Sequence, residues 1–258
     1  HLINPGQTGV TGKKEIMLSV RSSLASGLEN PEKTQFLSYS MPLKKNLSLG
    51  VSVANTTYNI VREIDFYLDG SYKLKVDETK NLFFGLKIGG TTLNIDRLSL
   101  GQDDDPLLDE NVNRPFDVNM GAGVYFQAKN YYVGVSIPKF IKMKRYNSSE
   151  NNLKAVTQKQ LYMNLGYDFN ISSKSTKMFL KPSLMMVHDF ENSTDFEVAL
   201  AYELMEKFEL AVANRFNHGF GALAMFKFLN NFKIGYSYST ITSGLQMSNH
   251  ELVLRASF

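Results

Sequence analysis

The sequence predicts an all-β fold: a transmembrane up-and-down antiparallel β-barrel of about 14 strands in a single domain. Three observations point there. Apolar and polar residues alternate with a period of two along nearly the whole chain, the mark of half-buried strand. Short polar turns mostly alternate with longer connections, as in a meander whose two rims face different compartments. Finally, 13 Tyr, 18 Phe and 18 Gly against only 7 Pro suit a barrel wall, at a mean hydropathy of −0.21.

Taken in chain order, Leu47, Leu49, Val51 and Val53 alternate with Ser48, Gly50 and Ser52, and Ile64, Phe66 and Leu68 with Asp65, Tyr67 and Asp69. Leu161, Met163, Leu165 and Tyr167 alternate with Gln160, Asn164, Gly166 and Asp168. Phe196, Val198 and Leu200 then alternate with Glu197, Ala199 and Ala201, and Phe232, Ile234 and Tyr236 with Lys233, Gly235 and Ser237. No amphipathic helix longer than a turn or two interrupts the series. Polar turns fall near Pro42–Lys45, Asp77–Lys80, Ala128–Asn130, Ser172–Ser175, Glu203–Lys207 and Leu229–Asn231. Longer connections fall at Gly27–Lys33, Asn94–Pro115, Lys139–Lys154, Asp189–Thr194 and Thr240–Met247, with short ones at Asn55–Asn59 and Asn217–Gly219. Strands of about 9–13 residues between these points cross a bilayer when tilted. Residues 1–13 read as an N-terminal periplasmic segment and residues 14–258 as the barrel.

Alternation by itself does not say which face is greasy outward. A soluble ligand-binding barrel has the same period with its apolar face inside. The strand count decides for the membrane, since about eight strands already fill a packed soluble barrel. The polar face carries glycine, serine and isolated charges of both signs: Arg21, Asp65, Asp69, Lys73, Lys87, Asp117, Asp168, Lys181, Glu197, Glu209, Arg215, Lys233 and Arg255. The last strand ends Leu252, Leu254, Ala256, Phe258, similar to the assembly signal of bacterial outer-membrane barrels. His1 is not an initiator Met, so the chain reads as a mature or trimmed product, which leaves room for a secretory signal ahead of it.

Composition excludes much else. With 28 Lys+Arg against 25 Asp+Glu the net charge is +3, and no basic run suggests nucleic acid as a partner. Without cysteine there is no disulfide, Cys-based zinc site or thiol nucleophile. The four histidines, His1, His188, His218 and His250, lack metal spacing, and no nucleophile elbow or phosphate loop occurs. No catalytic, cofactor-binding or metal residue is therefore expected, and the chain reads as no enzyme. Two loop clusters stand out. Asp103, Asp104, Asp105, Asp109 and Glu110 make an acidic stretch, a solvated loop rather than a hard-cation site. Lys139, Lys142, Lys144 and Arg145 make a basic one, either ordinary loop charge or a contact to anionic headgroups. Tyr125, Phe126, Tyr131, Tyr132, Phe226, Phe228 and Phe232 near strand ends are candidates for interfacial girdles.

Four segments in order resemble the PorP/SprF family of outer-membrane proteins of type IX secretion and gliding motility in Bacteroidota. They are Ile3-Asn4-Pro5 followed by Gly9, Tyr132 to Pro138, Phe232 to Tyr238 after the Asn230-Asn231 turn, and Asn249-His250-Glu251-Leu252 leading to Phe258. Gly6-Gln7-Thr8 departs from the aromatic-containing stretch the family leads one to expect. The resemblance implies a multi-pass outer-membrane scaffold or anchor without cofactor. Its implied partners are membrane lipids and proteins, namely a secreted adhesin or cargo, or a periplasmic, peptidoglycan-linked component. The near-balanced polar face fits a lumen crossed by ion pairs more than an open channel. The rival reading is a passive outer-membrane porin or small-solute transporter. A rim-borne lipid hydrolase finds no Ser–His–Asp grouping by spacing.

Overall fold

Alternating side chains leave every strand with one face to bury and one to expose, and a closed antiparallel wall satisfies both faces without leaving an edge. The computed structural model describes residues 2–25, 31–44, 46–96, 98, 111–141, 143–144, 156–157, 159–190, 193–241 and 247–258. After a short 3-10 turn at Pro5–Gln7, the strands are β1 (Glu15–Ala25), β2 (Lys33–Lys44), β3 (Leu47–Tyr58), β4 (Val61–Lys75), β5 (Asn81–Ile95), β6 (Val112–Gln127) and β7 (Tyr131–Ile137). β8 (Met143–Lys144) and β9 (Val156–Thr157) pair only with each other. Then come β10 (Gln160–Tyr167), β11 (Phe169–Asn170), β12 (Met178–Asp189), β13 (Thr194–Leu204), β14 (Phe208–Arg215), β15 (Gly219–Phe228), β16 (Phe232–Ile241) and β17 (Met247–Ser257).

Each wall strand bonds its sequence neighbour, and β1 bonds β17, from Glu15 opposite Ser257 to Ala25 opposite Met247. β10 and β11 are one strand interrupted, so the wall has fourteen strands and is closed. The interruption has a local cause. The pairing to β12 stops at Gly166 opposite Ser183 and resumes at Phe169 opposite Leu180, so the gap faces Pro182, which has no N–H to give. Prolines also sit where register shifts elsewhere. β2 slips between Pro42 and Lys44, and β5 slips between Thr91 and Leu93, opposite the stretch of β6 that holds Pro115. At that second bulge the strands run on to Ile95 and start at Val112, so the wall takes residues that the sequence pattern assigns to the Asn94–Pro115 connection.

The tight β3–β4 hairpin turns at Asn59, whose φ of 49° suits Asn better than most side chains. The start of β1, the end of β17 and most of the short turns share one rim, opposite the β3–β4 hairpin: Lys14 and Phe258 exchange backbone hydrogen bonds of 3.1 and 2.8 Å there. Leu86 and Leu210 on the outer face are 70% and 59% exposed, whereas Asp69 and Lys87 on the inner face are 1% and 3% exposed. Grease therefore points outward and charge inward, the reverse of a water-soluble barrel. The expected girdle is only partly aromatic in the expected way. Phe126 with Tyr131, and Phe208 with Phe226, pair on the outer face near the short-turn rim at 5.8 and 4.9 Å. Tyr125 and Tyr132 instead stack on each other inside the lumen at 5.7 Å. One residue of offset in a strand decides between lipid and lumen, and these two fall on the inward phase.

Candidate functional site

The lumen is the candidate site, and its two halves are built differently. On the side of β4–β7 it is occupied by the chain's own first residues. From residue 2 the chain lies inside the wall, and Asn4 and Thr8 are 3% and 0% exposed. Asn4 organises this segment. Its side-chain oxygen accepts the Gly6 N–H at 2.8 Å, capping the Pro5–Gln7 turn, while its Nδ2 donates to the backbone carbonyls of Val124 at 3.1 Å and Val135 at 3.5 Å. Ser136 Oγ donates to the Ile3 carbonyl at 3.1 Å, and Ser71 Oγ to the Thr8 carbonyl at 2.7 Å. Such bonds contribute about 0.5–1.5 kcal/mol each.

A trough of glycine receives the segment. Gly85 and Gly123 lie opposite each other on β5 and β6 and both face inward. A Cβ at Gly85 would stand 2.1 Å from Gly6 N and Pro5 C, and one at Gly123 2.1 Å from Asn4 Oδ1. Only a wall without side chains at those two points lets the segment lie against it. Residues 1–13, which the sequence sets apart as a segment outside the barrel, thus contribute residues 2–8 to its interior. Alternation says nothing about them, since they belong to no strand. The readable signal was the pair of glycines at inward phase, together with Asn4-Pro5.

Around the segment the inner face is held by paired charges. Lys87 and Asp69 sit directly opposite each other and pair at 3.0 Å with side chains 2% and 0% exposed. Lys139, the first of the basic loop cluster, turns into the lumen and pairs with Asp65 at 3.3 Å. Asn119 fixes that turn, donating to the Ile141 carbonyl at 3.0 Å and accepting the Ile141 N–H at 3.3 Å. Lys144 lies in β8, while Lys142, Arg145 and the acidic residues 103–110 lie outside the described residues.

On the opposite side the inner face of β13–β15 is small-walled, with Ala199, Ala201, Ala211, Ala213 and Gly221 pointing inward. A cavity of about 490 Å³ follows that wall. Charges of both signs line its margins. Glu197 stands opposite Arg215 and Arg21 opposite Glu251, and Asp195 meets Arg215 Nη2 and His218 Nε2, each at 3.1 Å. Lys181 pairs with Glu203 at 2.8 Å, and Arg255 Nε donates to Glu15 at 3.1 Å. His250, on the outer phase of β17, bonds the Tyr236 hydroxyl at 2.7 Å, while Glu251 beside it faces Ser19 and Ser237 in the lumen. Among the described residues no three His, Asp or Glu side chains gather as a metal site.

A closed wall of fourteen long strands, greasy outside and ion-paired inside, defines an integral outer-membrane β-barrel. The solved structures it resembles are barrels of that membrane. The Ralstonia pickettii toluene transporter TbuX gives a TM-score of 0.64 at 9% identity, covering 99% of this chain and 92% of that one. The Acinetobacter baumannii outer membrane protein Omp33 gives 0.58 at 10% identity, covering 96% and 99%. At such identities the likeness is one of fold. No curated protein sequence matches the chain. The family described as type IX secretion system membrane protein PorP/SprF matches residues 1–256, and the chain belongs to that family.

Proposed function

We propose that this barrel works by holding other proteins rather than by catalysis or wide-pore transport. In this reading it is a non-enzymatic scaffold of type IX secretion and gliding motility in Bacteroidota. It anchors a secreted adhesin or cargo at the surface, or links the barrel to a periplasmic, peptidoglycan-bound component. The observation that carries the reading is the occupied lumen: residues 2–8 fill the β4–β7 side, and ion pairs between neighbouring strands, Lys181 with Glu203 and Arg215 with Asp195, line the other. What remains for function is the rims. With the short-turn rim periplasmic, the connections at 94–115 and 139–154, apart from the wall residues 94–95 and 112–115 and the inward-turned Lys139, face outside and carry the partner-binding surface.

The alternative, a passive porin or small-solute transporter, draws on one observation, the small-walled cavity of about 490 Å³ along β13–β15. Planar-bilayer recording separates the two. The scaffold reading predicts conductance near the lipid baseline for the isolated barrel, and stable ohmic openings of porin size would refute it in favour of the alternative.

A further inference from the structure

The tip of the luminal segment borders a chamber unlike the rest of the interior. Its volume is about 310 Å³, at the small end of the range for ligand pockets. The side walls are apolar: Leu2 and Ile3 from the segment, Phe36 from β2, and Pro138. Phe36 is an odd occupant of its face, because its inward neighbours on β2 are Thr34, Ser38 and Ser40. Leu2 and Ile3 are 50% and 38% exposed, so both present uncovered apolar surface to the space.

One end of the chamber is polar, and there the charges of the described residues pair off. Ser52 and Tyr67 are 3% and 4% exposed; the Ser52 hydroxyl has no hydrogen-bond partner among the described residues, and the Tyr67 hydroxyl lies beside Thr91 and Lys139. Beside them Lys139 pairs with Asp65 at 3.3 Å and Lys87 with Asp69 at 3.0 Å, and the two ammonium groups lie 5.7 and 5.0 Å from the Tyr67 ring centroid. A charged ligand would bring an uncompensated charge into this balanced end. A neutral hydroxyl would not, and it can accept from one protein hydroxyl while donating to the other.

We propose that this chamber is a binding site for a small neutral amphipathic alcohol, a compact apolar body bearing one hydroxyl. The body lies against Leu2, Ile3 and Phe36, and the hydroxyl reaches Ser52 and Tyr67. Because two chamber walls belong to the luminal segment, occupancy also fastens that segment in place.

The chain has no Trp, so Phe36→Trp provides a background-free fluorescent reporter inside the chamber. The probe is 6-bromo-1-hexanol, whose bromine quenches Trp only on contact, titrated into the full-length barrel in detergent. Leu86→Trp on the outer wall reports probe dissolved in the micelle. The expected result is saturable quenching at Phe36→Trp and non-saturating quenching at Leu86→Trp. Adding Tyr67→Phe weakens the saturable binding about tenfold, the loss of one hydrogen bond. 1-Bromohexane, lacking the hydroxyl, binds about tenfold more weakly, and Ala54→Leu, which fills the chamber from β3, abolishes saturation. If Phe36→Trp loses the gel-mobility shift of a folded barrel, Tyr162→Trp on the opposite wall takes its place. Non-saturating quenching at both inner reporters, saturation undiminished by Ala54→Leu, or equal affinity for the two bromides would overturn the site.

Discussion

Gly85→Val tests the glycine trough directly. A Cβ at this position stands 2.1 Å from Gly6 N and Pro5 C, so either the wall or the luminal segment must give way. The wall cannot do so cheaply: β5 is registered against β4 from Asn81 to Ile95 and against β6 over nearly the same span. The segment is fastened by far less. Its ties to the wall are the Asn4 bond to Val124 at 3.1 Å, the Ser136 bond to Ile3 at 3.1 Å and the Ser71 bond to Thr8 at 2.7 Å, with a weaker Asn4 bond to Val135 at 3.5 Å. At about 1 kcal/mol each the first three come to about 3 kcal/mol, comparable to the about 1–3 kcal/mol that overpacking costs. The segment is therefore the part that moves. Purified Gly85→Val should keep the gel-mobility shift of a folded barrel, melt at a lower temperature, and show planar-bilayer conductance several-fold above wild type. Gly70→Val serves as the control, since a Cβ at Gly70 meets nothing nearer than Leu49 Cδ2 at 3.9 Å. Wild-type conductance and melting in Gly85→Val, with the fold intact, would refute the reasoning.

Other outcomes follow from the same geometry. Lys87→Met removes the ammonium that pairs with buried Asp69 at 3.0 Å and should destabilise the barrel in urea titrations, while Lys87→Met with Asp69→Leu recovers most of that loss; equal destabilisation by single and double variants would contradict the pairing. Asn119→Ala removes the bonds that turn the chain inward at Ile141, so protease should cut near Lys139 faster than in wild type. In the short turn after β4, the Asp77 carboxylate accepts from Lys80 and from the Thr79 backbone and hydroxyl, which holds its pKa down at about 2. A depressed carboxylate stabilises the turn above its ordinary titration range and loses that contribution as pH falls toward about 2. An NMR titration of Asp77 with an ordinary midpoint near about 4 would contradict it. On intact cells, cysteines placed at 99–110 and 145–154, within the two long connections, should label with impermeant maleimide, and protection of both would invert the topology.

The wall was legible because a strand writes its two faces into alternate residues, and fourteen strands repeat the message. Leu47 to Val53 and Phe232 to Tyr238 announce both their class and their phase. The exact phase was harder at strand ends, where Tyr125 and Phe126 are both aromatic and only the register shows that the first points inward. Ends blurred for a second reason: bulges near Pro115 and Pro42 let strands continue past residues that look like turns. The lumen was less legible still. Charge balance foretold an ion-paired interior, but partners such as Asp69 with Lys87 or Asp65 with Lys139 depend on register and on one loop turning inward. The luminal segment left almost no periodic trace, because its fit rests on absent side chains at Gly85 and Gly123.

The central claim is that a barrel whose lumen holds its own first residues acts by binding proteins at its rims. Tagged barrel purified in mild detergent from its own cells, with copurifying proteins identified and quantified, tests it most directly. The account predicts stoichiometric recovery of a large secreted surface protein or of a peptidoglycan-linked periplasmic protein. Repeated recovery of the barrel alone, from cells shown to be secreting, would contradict it.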